Sequence, residues 1–402
     1  MNRKVLLFVL FVYSLIFSVL KTLRSPNDWS EAHWMMDYRF GFTKRGLAGE
    51  IFGLLFEKTE FSILILSAGI LFLLYVLIFN IALKEIYQQE NSFYRILFFL
   101  MFFLSQYIIF SAHLIGYLDH VVFLLTILVI FLIKRKKLFL APIVAMFSIF
   151  IHEISFFLML PISCFALIVN EISVERFSLK NIFSSIILKK LILFLALPVA
   201  TTILISTFQE TNNEIHFSVI VKYLKEVPFI SEKTADSVSS AYTKSFSYYF
   251  KEESSSFIQR IFLSKGTIFY GIPILFSIWM IFREFKLKYN LQLFGIVVAI
   301  SILPLLLHAV AYDTYRIWTF PFMILFLAFW ILSSKFTMKK EKTGKLSNLE
   351  IAFFIISFLL VTLVPNYLFD NEVERFSLPI RLLLILPIFF ILYLLKKPQP
   401  NV

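Results

Sequence analysis

Hydrophobic residues occur in long runs from one end of this chain to the other, and short polar segments separate the runs. A helix needs about 20 predominantly apolar residues to cross the hydrocarbon core of a bilayer. Because a spanning segment must also satisfy its own backbone hydrogen bonds, the pattern predicts an all-α, polytopic transmembrane helical bundle in which residues 1–402 form a single integral membrane domain. We predict about twelve spans, at residues 5–22, 62–84, 93–112, 117–133, 138–151, 153–170, 190–207, 266–282, 291–310, 317–334, 350–365 and 379–395.

Two parts of this pattern need interpretation. Residues 138–169 form one long apolar run that only His152 and Glu153 interrupt. The run is too long for one helix and short for two, so it predicts either a pair of short or tilted spans or a helix with a re-entrant turn. The first apolar run follows a basic N-terminus and is not followed by a small-residue cleavage site, so we interpret it as a retained first helix.

Composition agrees with a membrane protein, and the predicted topology accounts for its net charge. The chain is 59% hydrophobic, has a mean hydropathy of +0.84 and carries a net charge of +12. With both termini in the cytoplasm, every short inward loop is basic, including residues 134–137 and 335–345. The charge is therefore mainly a signal of topology in the inner (cytoplasmic) membrane, and no nucleic-acid partner is needed to explain it.

Two predicted extracytoplasmic segments are long, at residues 23–61 and 208–265. The second contains two stretches with helical apolar spacing, "EIHFSVIVKYLKEV" and "SSFIQRIF". The first is expected to contain an amphipathic or re-entrant segment. We predict that such helices lie on the membrane surface or cap a cavity.

All six histidines fall in outer loops or at outer helix ends in this topology. Ionisable residues at membrane depth are costly and tend to mark functional sites. Three stretches, "AHLIGYLDH", "IHEIS" and "LLLHAVAYDTYRIW", each join two helices at the outer face. Together with the first outer loop they are predicted to surround one outward-facing cavity. Their candidate residues are His113, Asp119, His120, His152, Glu153, His308, Asp313 and Arg316.

These residues also have structural interpretations. A histidine at a helix end can lie in the headgroup region, and Asp313 and Arg316, three residues apart, can form a helical ion pair. Arg316 is equally suited to anchor a lipid phosphate. His152 and Glu153 favour function, because they place two polar side chains inside a long apolar run.

The first outer loop contains the stretch "DWSEAHWMMDYRFGFTKRGLAGE" at residues 28–50. Basic groups at a membrane surface can hold a lipid-linked phosphate or diphosphate. A carboxylate can deprotonate an acceptor hydroxyl or bind a divalent metal such as Mg²⁺ or Mn²⁺. The alternative is an interface helix whose charges face water. The candidate acids are Asp28, Glu31 and Asp37, and the candidate phosphate ligands are Arg39, Lys44 and Arg45.

A first helix followed by a large outer loop that opens with acids resembles the GT-C superfamily of membrane glycosyltransferases. The resemblance implies a polyisoprenyl-phosphate or polyisoprenyl-diphosphate sugar donor and a catalytic acid early in the first outer loop. The matching positions are Asp28 and Glu31 in "DWSEAH", with Asp37 as a third. In that superfamily the acids are often adjacent, whereas here they are three apart, so the identity of the base stays open.

A second resemblance is to polysaccharide polymerases of the Wzy and EpsG types, which also act on diphospholipid-linked glycans at the outer face. "FIHEISFFLMLP" is similar to a histidine-led helix start in EpsG-like proteins, and "YRIWTFPFMILF" is similar to their arginine-containing late helix. This resemblance implies central roles for His152 and Arg316.

The residues and both resemblances lead to one expectation, a glycosyltransferase that faces the periplasm or cell exterior. It would transfer a sugar from a polyisoprenyl-phosphate-linked donor to a glycan or lipid acceptor in cell-surface polysaccharide synthesis. The alternatives are a lipid-linked glycan flippase or other transporter, in which the outer histidines and Asp313 couple protons, and a non-catalytic assembly protein. A divalent metal is possible in the enzyme, and no other cofactor is expected.

Overall fold

The computed structural model describes residues 2–88, 92–172, 177–211, 213–335, 346–369 and 372–396. This part of the chain is 80% helical and contains no β-strand, which confirms the all-α prediction. Polar side chains begin many of the helices by accepting a hydrogen bond from a free backbone N–H group of the first turn. Asn2, Asn27, Ser92, Ser231 and Ser347 do this at five helix starts.

Twenty-one α-helices follow one another along the described residues, with short 3₁₀ and π segments between some of them. The first eleven are α1 (Arg3–Leu20), α2 (Asp28–Met35), α3 (Gly46–Leu55), α4 (Glu60–Gln88), α5 (Phe93–Leu104), α6 (Gln106–His113), α7 (Asp119–Lys134), α8 (Leu140–Ile151), α9 (Ser155–Leu158), α10 (Leu160–Glu171) and α11 (Leu179–Ile182). The others are α12 (Ser185–Thr211), α13 (Asn213–Lys225), α14 (Glu232–Thr243), α15 (Phe246–Glu253), α16 (Lys265–Phe269), α17 (Gly271–Glu284), α18 (Leu291–Ile302), α19 (Thr314–Ser333), α20 (Asn348–Thr362) and α21 (Leu378–Lys396).

Eight helical segments in the described residues are long and apolar enough to cross a membrane. They are α1, α4, α5 with α6, α12, α16 with α17, α18 with the 3₁₀ turn after it, α19 and α21, and each matches a predicted span. The other four predicted spans correspond to shorter helices, namely α7, α8, α9 with α10, and α20. The protein is therefore a membrane-embedded helical bundle, and the count of about twelve spans stays a prediction.

The centre of the bundle is built from α5, α6 and α19. All of the apolar window in Phe93–His113 is buried inside the protein, as is 83% of the window in α19, against 22% for α12. Phenylalanine rings stack across this contact, with centroids 4.5 Å apart for Phe98 and Phe329 and 4.4 Å apart for Phe102 and Phe326. Offset stacking of this kind adds to the burial of apolar area. These central helices are thus covered by other helices.

The two ends of the bundle bring different loops together. At one end, Arg95 of α5 binds Glu284 of α17, so two predicted inward helix ends meet. At the other end, Arg316 of α19 binds Asp119 of α7, and Arg45 binds Glu153, so four predicted outer segments meet.

The two long outer segments pack against each other over this second end. Ile220 and Leu224 of α13 are buried in a small apolar cluster that also contains Trp34 and Ala235. The stretch "EIHFSVIVKYLKEV" therefore covers α2 and α14. Close approach of α3 requires a glycine at position 49, because a Cβ atom there would lie 1.9 Å from the carbonyl oxygen of Met36.

The stretch "SSFIQRIF" begins with the end of a 3₁₀ turn, Ser254–Ser256, and continues into a π-helix, Gln259–Leu263. Its side chains Ile258 and Phe262 are 59% and 63% exposed. Exposed apolar side chains beside spanning helices are suited to the membrane interface, and a place there stays a prediction.

Candidate functional site

A cavity of about 750 Å³ lies at the end of the bundle where the outer segments meet. Its wall is formed by α2, the residues before α3, the link between α8 and α9, the end of α12, α14, α15 and the residues from 307 to the start of α19. Apolar side chains such as Ile205, Phe156 and Leu307 share this wall with charged ones. A cavity of this size and character is typical of a small-molecule or cofactor site.

The long apolar run at residues 138–169 is broken at the cavity. α8 ends at Ile151, and His152 adopts an extended backbone with φ −159° and ψ 121°. The hydroxyl groups of Ser148 and Ser155 lie 2.8 Å apart across the break and hold α8 and α9 together. The run therefore consists of α8 on one side of the break and α9 with α10 on the other, and His152 and Glu153 line the cavity at the break.

Arg45 and Glu153 form a forked ion pair on the cavity wall. Nε of Arg45 donates to Oε2 and Oε1 of Glu153 at 2.8 and 3.0 Å, and Nη2 donates to Oε1 as well. Burial alone would raise the pKa of Glu153, but Arg45, His152 and Lys44 together hold it well below its ordinary value. Glu153 is therefore ionised at neutral pH. Arg45 begins α3 in a left-handed backbone conformation, with φ 61°.

Arg316 is held between two carboxylates. Its Nε and Nη2 atoms each donate to Asp119 at 2.7 Å, and its Nη1 atom donates to Asp313 at 2.8 Å. The guanidinium group also lies 5.0 Å from the ring centroid of Tyr117. The predicted ion pair between Asp313 and Arg316 is present, and Asp119 fixes the plane of the guanidinium group from the other side.

His152 lies between the two arginine pairs. Its Nδ1 atom is 3.3 Å from Oε2 of Glu153, and its Nε2 atom is 3.9 Å from Oδ1 of Asp119. Burial and the nearby Arg45 lower the pKa of this imidazole below its usual value, so it is neutral at pH 7. A neutral imidazole beside two carboxylates can accept a proton.

Lys44 supplies a third cation on the cavity wall. Its Nζ atom donates to the carbonyl oxygen of Lys244 at 3.0 Å and lies 3.9 Å from Glu153. It also lies 5.3 Å from the ring centroid of Tyr249. Burial lowers the pKa of Lys44 to about 8, despite the nearby Glu153 carboxylate. We call Lys44, Arg45, Asp119, His152, Glu153 and Arg316 the cavity network.

Two of the acids expected from the first loop do not line the cavity. Oδ2 of Asp28 accepts hydrogen bonds from Ser231 Oγ at 2.5 Å and Thr234 Oγ1 at 2.7 Å, and these bonds join α2 to α14. Burial opposes ionisation of Asp28, but the hydroxyl donors hold its pKa below the ordinary value. Glu31 is buried, and burial, Glu60 and Asp28 raise its pKa to about 7.

The pair formed by Asp37 and Arg39 also lies away from the cavity lining. Nε of Arg39 donates to both Asp37 oxygens at 2.8 and 3.0 Å, and Lys58 donates to Asp37 at 2.5 Å. The side chain of Arg39 is 50% exposed and lies over the ring of Tyr223. Of the six first-loop candidates, the cavity therefore brings together Lys44 and Arg45 only.

Among the histidines, only His33 and His152 line the cavity. Nδ1 of His33 lies 3.2 Å from the Tyr242 hydroxyl, and burial lowers the pKa of His33 well below its usual value. His113, His120 and His308 are buried behind the wall, where Nδ1 of His120 contacts the carbonyl oxygen of Tyr117 at 3.1 Å. These three histidines therefore lie near the cavity without lining it.

Sequence reasoning missed several residues of the wall. Tyr249, Glu253 and Lys233 come from the long segment 208–265, and Gln209 comes from the end of α12. These residues follow no spacing that relates them to the charged residues of other loops. The aromatic residues and amphipathic helices around them were the only indication that this segment lines a cavity, because a helix that caps a cavity turns one face towards it.

A divalent metal does not fit the residues that the structure describes. Within them, no group of three or more His, Cys, Asp or Glu side chains has the arrangement that could hold a metal ion. Glu153 and Asp119 are the two acids that contact His152. In each of them both carboxylate oxygens already accept hydrogen bonds from a guanidinium group. We therefore derive no step through a metal.

No family model, no curated protein and no solved structure matches this chain. The resemblances to GT-C glycosyltransferases and to polysaccharide polymerases thus rest on the residues quoted above.

Proposed function

We propose that this protein is a membrane glycosyltransferase that transfers a sugar from a polyisoprenyl-phosphate or polyisoprenyl-diphosphate donor to a glycan or lipid acceptor. One observation carries the proposal. A large, partly apolar cavity at the end of a membrane bundle contains three cations, Lys44, Arg45 and Arg316, beside the carboxylate of Glu153 and the neutral imidazole of His152. Cations suit a phosphate leaving group, and the other two groups suit a general base.

The leaving phosphate would be held by the guanidinium groups and Lys44. Guanidinium forks match phosphate oxygens as well as they match carboxylate oxygens. Positive charge that is already positioned where the phosphate leaves stabilises the charge that develops on it. Apolar wall residues such as Ile205 and Phe156 would lie beside the lipid part of the donor.

The transfer itself needs one proton acceptor. The acceptor hydroxyl loses its proton to Glu153 or His152, and its oxygen forms a bond to the anomeric carbon of the sugar. The bond from that carbon to the phosphate oxygen breaks, and its electron pair leaves with the lipid phosphate. Holding the two substrates in one cavity supplies much of the rate enhancement for such a step.

The basic loops support a site on the extracytoplasmic side of the inner membrane, because the cavity is at the opposite end from them. In that orientation the substrates are a polyisoprenyl-linked sugar and a growing cell-surface glycan or lipid.

A polysaccharide polymerase of the Wzy or EpsG type is the second candidate, and a specific observation favours it. His152 and Arg316, the residues quoted for that resemblance, both line the cavity. Asp28 and Glu31, the acids quoted for the GT-C resemblance, do not. Both candidates share the substrate class and the bond that is broken.

The test is deletion of the gene followed by analysis of lipid-linked and surface glycans. A glycosyltransferase that adds one sugar leaves an incomplete lipid-linked glycan, whereas loss of a polymerase leaves complete repeat units and chains one unit long. Complementation with Arg45→Gln should fail, while the matched variant Arg39→Gln, whose pair lies outside the cavity lining, should restore the glycan. Unchanged lipid-linked and surface glycans after deletion would contradict the proposal.

A further inference from the structure

The two guanidinium groups of the cavity differ in the number and the exposure of their carboxylate partners. Arg45 has one carboxylate partner, Glu153, whose side chain is 31% exposed. Arg316 has two, and the one that fixes its plane, Asp119, is only 8% exposed. A ligand can therefore reach the ion pair between Arg45 and Glu153. The ion pair between Arg316 and Asp119 is buried and less accessible to a ligand.

We propose that a phosphate group of the substrate displaces Glu153 from Arg45, and that the carboxylate released by this exchange is the general base. Asp119 is then a positioning residue that keeps Arg316 fixed while Arg45 changes partners. This inference rests on the proposed function and assigns the roles within it.

Chemistry supports the exchange, because phosphate and carboxylate compete for the same fork of N–H donors. The Nε and Nη2 atoms of Arg45 both bind Glu153, so they are the donors that a phosphate would use. Lys44 lies 3.9 Å from the same carboxylate oxygen and would contact the incoming phosphate as well.

The backbone of Arg45 supports a functional role for this position. Arg45 has φ 61°, a left-handed conformation that is unfavourable for a residue with a Cβ atom, and it begins α3 without a capping side-chain hydrogen bond. Strained residues of this kind persist where the surroundings fix them, and they cluster at ligand sites.

The charge balance explains why the base is released only when substrate is present. While Arg45 holds Glu153, the pKa of that carboxyl is well below its usual value, and the carboxylate is a weak base. When phosphate takes Arg45, Glu153 loses its strongest electrostatic partner and becomes more basic. It then takes the proton of the acceptor hydroxyl, as the acceptor oxygen bonds to the anomeric carbon and the electron pair of the broken bond leaves with the phosphate.

The test is the affinity of the purified, detergent-solubilised protein for inorganic diphosphate, measured by calorimetry. Glu153→Gln should bind diphosphate about tenfold more tightly than the unmodified protein, because the competing carboxylate is gone. Arg45→Gln should bind at least about tenfold more weakly. The double variant should bind close to Arg45→Gln, because the fork that Glu153 occupies belongs to Arg45, while Lys44 lies farther from that carboxylate at 3.9 Å.

Asp37→Asn is the matched control, because Asp37 holds Arg39 by a similar fork away from the cavity lining. Its diphosphate affinity should stay unchanged. Where Glu153→Gln is poorly stable, diphosphate should raise its thermal midpoint more than that of the unmodified protein, since the ligand restores a partner to Arg45.

Equal or weaker diphosphate binding by Glu153→Gln would overturn the exchange, as would a gain that survives in the double variant or an unmodified protein that binds no diphosphate. These measurements contain no sugar donor. A protein that exchanges diphosphate but makes no glycan would contradict only the proposed function, and the reverse result would contradict only the exchange.

Discussion

Two arginine–carboxylate networks occupy opposite ends of this bundle, and they differ in what surrounds them. In the core network, Arg95 donates to Glu284 at 2.9 Å and to the carbonyl oxygen of Glu85 at 2.5 Å. Ser92 and Ser333 donate to the two glutamates. The side chains of Arg95, Glu85 and Glu284 are 1%, 5% and 3% exposed. The cavity network has the same kinds of groups, but it faces open space.

The difference indicates what each network does. Oxygens and N–H groups in the core network are bound by residues of α4, α5, α17 and α19, so the network joins four helices. A buried ion pair adds little stability over an apolar contact, but losing one partner is costly. In the cavity network Glu153 keeps exposed surface, as does Asp313 beside Arg316, so a ligand can take the place of either carboxylate.

Arg95→Gln should have the largest effect of any change considered, because it leaves Glu284 buried without a cation. A loss of about 3–5 kcal/mol is expected for one partner of a buried pair, enough to reduce the amount of folded protein sharply. The measurement is the thermal midpoint in detergent together with the membrane yield. The control is Lys225→Gln, whose ion pair with Asp236 is exposed on both sides, at 37% and 53%. A normal midpoint for Arg95→Gln would remove the distinction between the networks.

Arg316→Lys should leave the protein folded and remove most of its activity. A lysine keeps the charge but cannot reproduce the two 2.7 Å bonds to Asp119 together with the bond to Asp313. Product glycan should fall by about 100-fold or more, as when a positioned donor to a developing charge is lost.

For both Arg316→Lys and Arg95→Gln, the measured quantity is the glycan yield divided by the amount of folded protein. A decrease in glycan that only follows the amount of protein would show that Arg316, like Arg95, serves the fold.

Sequence reasoning predicted the membrane helices well, because apolar length is a property of each segment. The eight long spans and the break at His152 follow directly from runs of apolar residues and one polar interruption. The pattern could not predict that Phe93–His113 is covered on all sides, since a helix facing lipid and a helix facing other helices are equally apolar.

The candidate site was predicted in part, for a related reason. His152, Asp313 and Arg316 interrupt or border apolar runs, where ionisable groups are costly and tend to mark functional sites, and they line the cavity. Asp28 begins α2 and Asp37 follows it, and their partners Ser231 and Lys58 come from elsewhere in the chain. No spacing rule reveals such partners, so the sequence did not predict that Asp28, one of the two acids that matched the GT-C resemblance, joins α2 to α14.

Lys44 sharpens the comparison through pH. Burial lowers the pKa of Lys44 to about 8. Two neighbouring groups do not titrate between pH 7 and 9. Against the effect of burial, Arg45 holds the pKa of Glu153 well below its usual value, and burial raises the pKa of Tyr249. Only the charged amine attracts phosphate, so diphosphate affinity should fall several-fold, about one order of magnitude at most, as pH rises from 7 to 9.

The control is Lys44→Arg, which stays charged throughout this range. Diphosphate itself loses a proton in this range, which affects both proteins alike, so Lys44→Arg is the reference and the unmodified protein should lose affinity relative to it as pH rises. The same decrease in both proteins would assign the titration to another group and would remove Lys44 from the phosphate site.

Glu31 occupies a third kind of environment, because its carboxyl group is buried with neither a counter-ion nor a cavity beside it. Changing it should have the smallest effect on stability. Within the described residues its carboxyl group has no hydrogen bond or ion pair, and burial, Glu60 and Asp28 raise its pKa to about 7. The folded protein therefore prefers protonated Glu31. The resulting stabilisation is complete below the unfolded pKa of about 4.3 and is lost as pH rises to about 7.

Glu31→Gln should consequently raise the thermal midpoint at pH 8 by a few degrees, and the difference should disappear near pH 4, where the acid is as neutral as the amide. Glu57→Gln, at an exposed glutamate between α3 and α4, should show no such pH dependence. Glycan yield per folded molecule should stay near normal in Glu31→Gln, because the carboxyl does not line the cavity. Lost activity with normal stability would instead return the general base to the first loop, and the cavity network would then be the structural one.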